Sequence, residues 1–515
     1  MSTGLNTIAA FCILSLLFCS NMDALKIAVL PMPANSHIIS MKTVSETLIK
    51  KGHQVSIILP EDKCSMVNKI HTIPFKTMEL KGLQGENEVN GIVGIVKLMY
   101  SVQGTFCRDM LRNGTISTLI KDYDIIITDS MYLCSFMLPQ IVNKRNIMIG
   151  IQGTLLSPIG YPAYPSNPAY IPQMGTTYSS KMNFFQRVKN TIAACLKELV
   201  VFNLMNYLAY SIKQEFNIRP DLGFYELMLS PEMTLVAGDF AVDYARPIPP
   251  NMKLIGPLSC APASPLPEDL ENFMESSGER GVVLVSMGTM FELPESSIPT
   301  LLAGFKRLEQ KILWKTKLNV KNPPDNVKIV RWMPQNDILG HPKLRAFVTH
   351  GGSKGIYEAS YHGVPLIGIP IQTEQQLNIG KAKAAGVAIS LDKNNLTPDV
   401  IVEAVAEITN PRYKGNATRI SRSIQSRPIP PREALVQWIE YIHHNDVSHL
   451  KPVELNMPWY QYYLLDVIAF ITFCMYCIFK ISKYLLCWCC CNRNGDKVKY
   501  DYKIRPNATG LDDFF

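Results

Sequence analysis

One strand–turn–helix–strand unit, residues 346–370, constrains the fold of this chain more than any other part of its sequence. The apolar residues 346–348 run into a Thr-His-Gly-Gly turn at 349–352, and a helical pattern follows. A second apolar run, residues 365–370, comes after the helix. Two buried strands that are joined by a helix predict a parallel sheet with helices packed on its faces.

The glycines of this unit indicate an anion site. Gly351 and Gly352 let the backbone come close to a ligand, and the start of the helix offers N–H groups and a partial positive charge to a phosphate. His350, at the strand end, can donate a hydrogen bond to the same phosphate. Glu358 lies two turns into the helix, where its carboxylate can hold ribose hydroxyls. An ordinary strand–helix turn with incidental glycines is the alternative for so short a motif.

Three sequence blocks surround this unit and carry a resemblance to a known family. They are residues 276–290 (SSGERGVVLVSMGTM), 331–352 (RWMPQNDILGHPKLRAFVTHGG) and 458–470 (PWYQYYLLDVIAF). In this order, the chain resembles the UDP-glycosyltransferases over nearly its full length, and is most similar to the membrane-bound animal UDP-glucuronosyltransferases. The resemblance implies an α/β chain of the GT-B fold, with two doubly wound Rossmann-like domains that face a cleft, plus a C-terminal transmembrane helix.

Length and composition agree with a large globular body. The chain has 515 residues, of which 47% are hydrophobic and 18% charged, and this length allows two or three domains. The net charge of +8 is modest, and the sequence has no Lys/Arg block of the kind that binds nucleic acid. We therefore expect no nucleic-acid partner.

Both ends of the chain suggest a membrane protein. The apolar run 8–19 is too short to span a bilayer and has the length of a signal h-region, which predicts a signal peptide at 1–24. Near the other end, residues 461–486 are long enough to cross a bilayer if Lys480 and Lys483 extend toward the interface. The excess of basic residues beyond this helix places the tail, 487–515, in the cytosol.

This topology predicts a single-pass type I protein of the endoplasmic reticulum membrane, with lumenal catalytic domains. Lumenal glycosylation motifs at Asn113, Asn395 and Asn416 are consistent with that compartment. Residence of the protein in the endoplasmic reticulum is itself implied by the resemblance.

The lumenal cysteines do not form an obvious disulfide framework. Five of them lie between the two ends, so they cannot all pair with one another. Cys107, Cys134 and Cys195 sit in apolar contexts and are predicted to be plain core residues.

The order of apolar runs predicts two α/β domains. Strands at 26–30, 54–59, 124–128 and 147–151 form an N-terminal acceptor-binding domain, 25–245, and strands at 281–285, 311–314, 327–331, 346–349, 366–369 and 387–391 form a UDP-sugar-binding domain, 269–445. The proline-rich residues 246–268 are predicted to be a linker, and 446–460 a juxtamembrane segment. Helices at 421–441 are expected to pack back across the two domains.

Two polar residues follow strands of the first domain. His37 comes shortly after the first strand and Asp129 after the third, so both are expected at the edge of the sheet that faces the ligand crevice. An imidazole there can accept a proton, and a carboxylate can orient it. Both positions match the catalytic His and Asp of the family. Asp124, the competing carboxylate, lies at the opposite end of its strand.

The donor-binding residues are carried over from the resemblance. Trp332 is similar to the tryptophan that stacks on uracil, Gln335 to its neighbour on uridine, and Glu358 to the glutamate on ribose. The remaining positions are Ser286 and the turn from His350 through Gly351, Gly352, Ser353, Lys354 and Gly355 for the diphosphate, Glu374 and Gln375 for the sugar hydroxyls, and Arg246 for a donor carboxylate. No metal and no cofactor beyond the co-substrate, UDP-glucuronate or UDP-glucose, is expected.

Two departures from the family pattern bear on the donor. Glu374 stands where animal members commonly have Asp, and one extra methylene can move a carboxylate by about 1 Å. Lys354 stands where a small or amide residue is common, and it could add a charge-assisted phosphate contact or face solvent.

The expected activity is an inverting transfer of a glucuronosyl group from UDP-glucuronate to small lipophilic acceptors. UDP-glucose as donor is the nearest alternative, and a membrane-tethered binding protein for lipophiles or UDP-sugars is a non-enzymatic one. A nucleotide-dependent oxidoreductase is disfavoured because no GxGxxG motif opens either domain. The partners are the UDP-sugar, the acceptor and the bilayer; assembly into a homo-oligomer is left open.

Overall fold

The computed structural model describes residues 24–77, 103–151, 167–173, 175–288, 292–371, 373–453 and 457–493. By its internal contacts the chain divides into a body that ends at Pro452 and a C-terminal unit that begins at Val453. Residues 1–23 of the predicted signal peptide lie outside the described residues. Residues 494–515 of the predicted tail lie outside them as well.

The first half of the body contains a seven-stranded parallel sheet. Apolar, β-branched runs such as IIITD are buried on both faces, as strands of a parallel sheet must be. The strand order is β3-β2-β1-β4-β5-β6-β7. The strands are β1 (Lys26–Leu30), β2 (Gln54–Pro60), β3 (His71–Phe75), β4 (Ile125–Asp129), β5 (Arg145–Gly150), β6 (Met233–Val236) and β7 (Met252–Leu254).

The second half contains a six-stranded parallel sheet in the order β10-β9-β8-β11-β12-β13. Its strands are β8 (Val282–Ser286), β9 (Lys311–Lys315), β10 (Val327–Val330), β11 (Leu344–Thr349), β12 (Leu366–Gly368) and β13 (Ala388–Ser390). Both sheets reverse their strand order next to the first strand, between β1 and β4 and between β8 and β11. Ligands of such sheets bind at the carboxyl ends of the strands beside this reversal.

Helices cover the faces of both sheets. In the first half they are α1 (Asn35–Lys50), α2 (Phe106–Arg112), α3 (Gly114–Leu119), α4 (Leu138–Val142), α5 (Phe184–Lys197), α6 (Asn203–Phe216) and α7 (Phe224–Met228). In the second half they are α8 (Glu268–Glu275), α9 (Ile298–Lys306), α10 (Gln335–Leu339), α11 (Ser353–His362), α12 (Thr373–Ala384), α13 (Pro398–Ile408), α14 (Pro411–Gln425) and α15 (Pro431–His444). Short 3-10 turns and short π-helical turns, among them Glu198–Phe202, connect these elements in the described part of the body.

The predicted two-sheet architecture is confirmed, and the ten predicted strands are present within two residues at each end. β3, β6 and β7 were not predicted. β7 lies inside the proline-rich stretch 246–268 and pairs with β6, so part of the predicted linker is a strand of the first sheet.

The chain crosses back to the first sheet at its end. α15 buries Leu435, Ile439 and Ile442 in the same hydrophobic core as α1 and the strands β1, β2 and β4. The expectation that helices near 421–441 pack back across the domains is confirmed, and the first core therefore includes residues beyond the second sheet.

The cysteine prediction was wrong. Cys107 and Cys134 form a disulfide, with their Cα atoms 5.4 Å apart, that ties α2 to the turn after β4. Cys195 is exposed on α5. An apolar sequence context suits a buried disulfide as well as a buried thiol, so composition alone could not separate the two.

The C-terminal unit contains α16 (Trp459–Tyr462) and the long helix α17 (Leu465–Arg493). By length and composition alone, Leu465–Cys489 could cross a membrane, and its large apolar side chains are exposed. A second stretch, Phe184–Phe216 in the body, also meets these two criteria.

We expect Cys107→Ser to lower the free energy of unfolding by about 3 kcal/mol, because the disulfide closes a loop of 27 residues in the unfolded chain. Thermal unfolding of the purified chain measures the shift. Cys195→Ser, which removes an exposed free thiol, is the matched control and should unfold like the parent. Equal destabilisation by both variants would contradict the expectation.

Candidate active site

The carboxyl edge of the first sheet holds a buried His–Asp pair. Nδ1 of His37 lies 2.7 Å from Oδ2 of Asp129, and both side chains are buried. Asp129 is the last residue of β4, and its carboxylate also accepts hydrogen bonds from the backbone N–H groups of Met32 and Met131. These contacts fix the carboxylate, which in turn fixes the orientation of the imidazole.

His37 lies in the first turn of α1, because this helix begins at Asn35. Asp124 is placed at the opposite end of β4, where its Oδ2 accepts a hydrogen bond from the backbone N–H of Lys26 at 2.8 Å. It therefore lies at the amino edge of the sheet, as the sequence indicated.

Electrostatics favour a proton on His37. Burial alone would lower the pKa of His37, but the charge and hydrogen bond of Asp129 outweigh it, and the negative charge of Glu374 adds to their effect. The pKa of His37 is therefore raised above its ordinary value. The contribution of Glu374 also means that a side chain of the second half lies close enough to His37 to influence it.

The carboxyl edge of the second sheet holds the glycine-rich turn. Gly351 adopts a φ of +90°, and a Cβ on Gly352 would lie 2.6 Å from Nε2 of His350. A Cβ on Gly288 would lie 2.7 Å from Cε1 of the same ring. Two glycines therefore make room for the imidazole of His350, and a third allows the turn that leads into α11.

His350 is neutral near physiological pH. Burial, together with a smaller contribution from the positive charge of Lys315, lowers its pKa to about 4. A phosphate at this position would be met by an imidazole N–H and by the N-terminal backbone of α11.

Two carboxylates project from the helices that follow β11 and β12. Glu358 on α11 is buried and accepts a 2.6 Å hydrogen bond from the amide of Gln335. Burial raises the pKa of Glu358, while Lys354, 3.8 Å away, and Gln335 oppose that rise. Lys354 therefore does not simply face solvent, because it pairs with a site carboxylate.

Glu374 is held at the start of α12. Its Oε1 accepts hydrogen bonds from Ser353 at 3.0 Å and from Asn378 at 2.9 Å. Gln375 is buried, and its Oε1 accepts a hydrogen bond from the backbone N–H of Ile371 at 2.8 Å. Both side chains of this acidic–amide pair are therefore held in place by hydrogen bonds from neighbouring residues.

A cleft of about 710 Å³ joins the two edges. From the first half it is lined by side chains around α1 and β5, including Ser36, Ile39, Thr43 and Ile149. From the second half it is lined by predicted site residues: Ser286, Trp332, Gln335, His350, Gly352, Ser353, Lys354, Gly355, Glu358, Glu374 and Gln375. The indole of Trp332 is 74% exposed, so a planar ring can stack on it.

The sequence did not single out Lys315, the last residue of β9. It lines the same cleft, and its Nζ donates to the carbonyl oxygen of Gly288 at 3.1 Å. Burial lowers the pKa of Lys315, and Glu292 opposes this. Lys315 can be recognised as a residue of the cleft only once the sheet order is known, because that order places the end of β9 beside the end of β8.

Arg246 lies apart from this group. It is 7% exposed, in the segment between β6 and β7, and the described residues that line the cleft do not include it. Its predicted contact with a donor carboxylate stays a prediction.

One group of described side chains could hold a metal ion, and it lies outside the cleft lining. Glu271 and Glu275 on α8 approach Nε2 of His341. The backbone N–H of Lys343 donates to Nδ1 of the same ring, which leaves the proton of a neutral imidazole on Nε2, facing the carboxylates. The arrangement is that of a hydrogen-bonded cluster, with Nε2 of His341 3.3 Å from Oε1 of Glu271.

Two doubly wound sheets with a shared cleft define the GT-B class of glycosyltransferases, and solved structures of that class have the same fold. CalG4, the calicheamicin glycosyltransferase, superposes with a TM-score of 0.60 at 17% identity, covering 82% of this chain and 98% of that one. The Phytolacca americana UGT2, solved with UDP-2fluoro-glucose and pterostilbene, gives 0.58 at 16%, covering 82% and 100%.

The family assignment comes from sequence comparison. The family described as UDP-glucoronosyl and UDP-glucosyl transferase matches residues 25–499. Human UDP-glucuronosyltransferase 2B15 is 32% identical over 513 residues, 90% of this chain and 94% of that protein, and the 2A3 enzyme of Cavia porcellus is 32% identical over 522 residues, 94% and 96%. The chain belongs to this family and is a UDP-glycosyltransferase.

We expect Gly351→Ala to weaken UDP binding about tenfold or more. An alanine at φ +90° is strained by about 1–3 kcal/mol, and its Cβ would lie 2.7 Å from Cγ1 of Ile379 on α12. Calorimetric titration with UDP measures the change. Gly415→Ala on α14, where nothing lies within 4 Å of the added Cβ, is the matched control. Parent-like binding by Gly351→Ala would show that the turn does not shape the nucleotide site.

Proposed function

We propose that this protein is an inverting glycosyltransferase that moves a glucuronosyl group from UDP-glucuronate to a hydroxyl, or another nucleophile, of small lipophilic acceptors. The observation that carries the proposal is the buried 2.7 Å contact between His37 and Asp129, beside a cleft whose far wall presents Glu374. His37 is 4% exposed and is not among the described residues that line the cleft, whereas Ser36 and Ile39 of the same helical turn line it. A base directly behind one wall and a sugar-binding carboxylate in the other would serve a direct displacement.

In the proposed reaction, Nε2 of His37 accepts the proton of the acceptor hydroxyl. The acceptor oxygen forms a bond to the anomeric carbon of the sugar while the bond from that carbon to the UDP oxygen breaks, so configuration inverts. Asp129 stabilises the imidazolium that results, because its carboxylate already holds Nδ1. The departing diphosphate gains negative charge.

The donor would lie along the second sheet. Uracil stacks on Trp332 with Gln335 beside it, and Glu358 holds the ribose, since its hydrogen bond from Gln335 connects the two positions. Ser286, His350 and the backbone of residues 351–355 meet the diphosphate, with Lys315 as an added cation at the same end of the cleft. Glu374 and Gln375 contact the sugar hydroxyls. No step in this scheme requires a metal.

The apolar part of the cleft supports a lipophilic acceptor. Ile39, Ile149 and Ile151 line it on the side of the first sheet, where they can bury an aromatic or aliphatic ring beside His37. The C-terminal helix, Leu465–Cys489, supports a location in a membrane. A single pass through the endoplasmic reticulum membrane with a lumenal body stays a prediction. Self-association remains a prediction.

The pH dependence should report on His37. The base works only when neutral, and its pKa is raised, so kcat/KM should fall as the pH drops through that raised pKa. Asp129→Asn removes the attraction that raises the pKa, so the acidic limb should move to lower pH while the maximal rate falls by about 10²–10⁴-fold. Asp124→Asn, at the other end of β4, is the matched control. An unchanged acidic limb in Asp129→Asn would contradict the assigned base.

The donor is tested by mass spectrometry of the conjugate formed from a simple phenol with UDP-glucuronate or UDP-glucose. We expect the glucuronide to predominate, and Arg246→Lys to raise KM for UDP-glucuronate more than for UDP-glucose, since a single ammonium cannot form the bidentate fork. A glucoside as the only product would favour UDP-glucose and refute the glucuronate proposal. Failure with both donors would count against the proposed acceptor class.

A further inference from the structure

The far end of helix α17 carries a dense group of cysteines. Four of the five residues at 487–491 are cysteine, and the fifth is Trp488. These four residues, Cys487, Cys489, Cys490 and Cys491, are here called the cysteine cluster. Cys487 and Cys489 are exposed. The proposed transfer reaction uses none of these thiols, because they belong to the C-terminal unit and the cleft belongs to the body.

The length of α17 places the cysteine cluster at the edge of a bilayer. With Leu465 at one boundary and a rise of about 1.5 Å per residue, the helix crosses the ~30 Å hydrocarbon core within about 20 residues. Cys487 then lies about 33 Å from Leu465 along the helix axis, and Cys491 about 39 Å. The cysteine cluster therefore falls just beyond the apolar core, at the level of the headgroups.

Aromatic side chains mark the same two boundaries. Tyr462 and Tyr463 are exposed before the span, and Trp488 is exposed within the cysteine cluster. Tyrosine and tryptophan favour the headgroup level of a bilayer, because each has an apolar ring and a polar atom that is best solvated. Trp488 therefore assigns residues 487–491 to the interface independently of the length of the helix.

The charges that follow α17 indicate which leaflet this is. The chain beyond the cysteine cluster is rich in basic residues: Arg493, Lys497, Lys499, Lys503 and Arg505. Basic residues next to a membrane helix favour the cytosolic side, where thiols stay reduced. The cysteine cluster is thus placed on the face of the membrane that meets cytosolic acyl donors. This placement rests on the proposed topology of the chain.

We propose that the cysteine cluster is a site of S-acylation, where one or more thiols carry a long-chain fatty acyl group as a thioester. The thiol sulfur attacks the carbonyl carbon of a fatty acyl-coenzyme A, and the bond from that carbon to the sulfur of coenzyme A breaks. The thiol proton passes to the coenzyme A thiolate, so no oxidant or reductant is needed. Cysteines beside a membrane span are the thiols that receive such groups.

Acylation would compensate for a weakness in the span itself. Lys480 and Lys483 lie about 22 and 27 Å from Leu465, which is still within the hydrocarbon core. Each lysine must extend its ammonium group to the interface, and this lowers the stability of the inserted helix. A fatty acyl chain at the same end of the helix adds apolar surface beside these lysines, and two attachment signals hold a protein in a membrane better than one.

The test is acyl exchange on the full-length chain expressed in animal cells. Free thiols are blocked with N-ethylmaleimide, hydroxylamine then cleaves thioesters, and a polyethylene-glycol maleimide adds mass to each released thiol. We expect a hydroxylamine-dependent mobility shift in the parent. Changing the whole cluster, by Cys487→Ser, Cys489→Ser, Cys490→Ser and Cys491→Ser, should abolish this shift. A parent without the shift, or a cluster variant that keeps it, would overturn the proposal.

The matched control lies in the same helix and combines Cys474→Ser with Cys477→Ser. These two thiols lie about 14 and 18 Å from Leu465, near the middle of the hydrocarbon core, where a water-soluble acyl donor does not reach them. The control should therefore shift like the parent. Loss of the shift in this control would place the acyl group inside the span and contradict the assigned site.

Two further measurements separate acylation from the topology on which it rests. Protease added to intact microsomes should remove an epitope tag from the C-terminus. A removed tag without a hydroxylamine-dependent shift would refute acylation alone, whereas a protected tag would refute the proposed topology and acylation with it. Mass spectrometry of the peptide that contains residues 487–491 should show a long-chain fatty acyl group, and any other thioester there would overturn the assigned ligand class. Turnover of the UDP-sugar by the cluster variant should equal that of the parent, which separates this proposal from the proposed function.

Discussion

A buried cluster of charged and polar groups joins the two halves of this enzyme. Asp243, in the segment that follows β6, accepts hydrogen bonds from Tyr357 on α11 at 2.6 Å and from Lys381 on α12 at 2.5 Å. Asp243 and Lys381 are each 3% exposed at the side chain. Removing one partner of such a pair leaves a charge without compensation, at a cost of about 3–5 kcal/mol. The neighbouring Asp239 pairs with Arg427 and donates its backbone N–H to the hydroxyl oxygen of Tyr357. Asp239 and Asp243 of the first half therefore contact α11, α12 and the loop before α15 in the second half.

These same helices carry Glu358 and Glu374, which line the cleft. Tyr357 is the neighbour of Glu358, and Lys381 lies on α12 two turns from Glu374. The contact that holds the two halves together therefore also sets the distance between the carboxylate of Glu374 and the imidazole of His37. Asp129 is the main cause of the raised pKa of His37, and Glu374 adds a smaller contribution that depends on that distance. In this enzyme, the packing of the two halves and the chemistry of the cleft share one set of side chains.

The sequence predicted most of the fold because most strands are buried on both faces. Continuous apolar runs such as VVLVS or IIITD have no other stable place than the interior of a parallel sheet. Two of the three missed strands lack this pattern: β3 contains Pro74, and β7 has three residues and lies among prolines. The third, β6, is fully buried but only four residues long. Pro74 is tolerated because β3 is an edge strand, with β2 as its one neighbour in the sheet. The disulfide was missed because pairing depends on the meeting of α2 with a turn 27 residues later, which no local pattern encodes.

The residues of the candidate site also divide into those that local sequence predicts and those that depend on contacts in the folded protein. His37, Asp129, Ser286 and His350 follow strands at the reversal of strand order in each sheet, and the topology alone brings them to the carboxyl edges. Lys315 and Asp243 have no comparable signal, because their roles depend on which helix or strand lies beside them in the folded protein. Local sequence therefore shows which residues can take part in the chemistry. The contacts between the halves determine the relative positions and orientations of their side chains. A close relative that kept every motif but lost the Asp243 cluster would keep the parts of this active site without the distance that makes them act together.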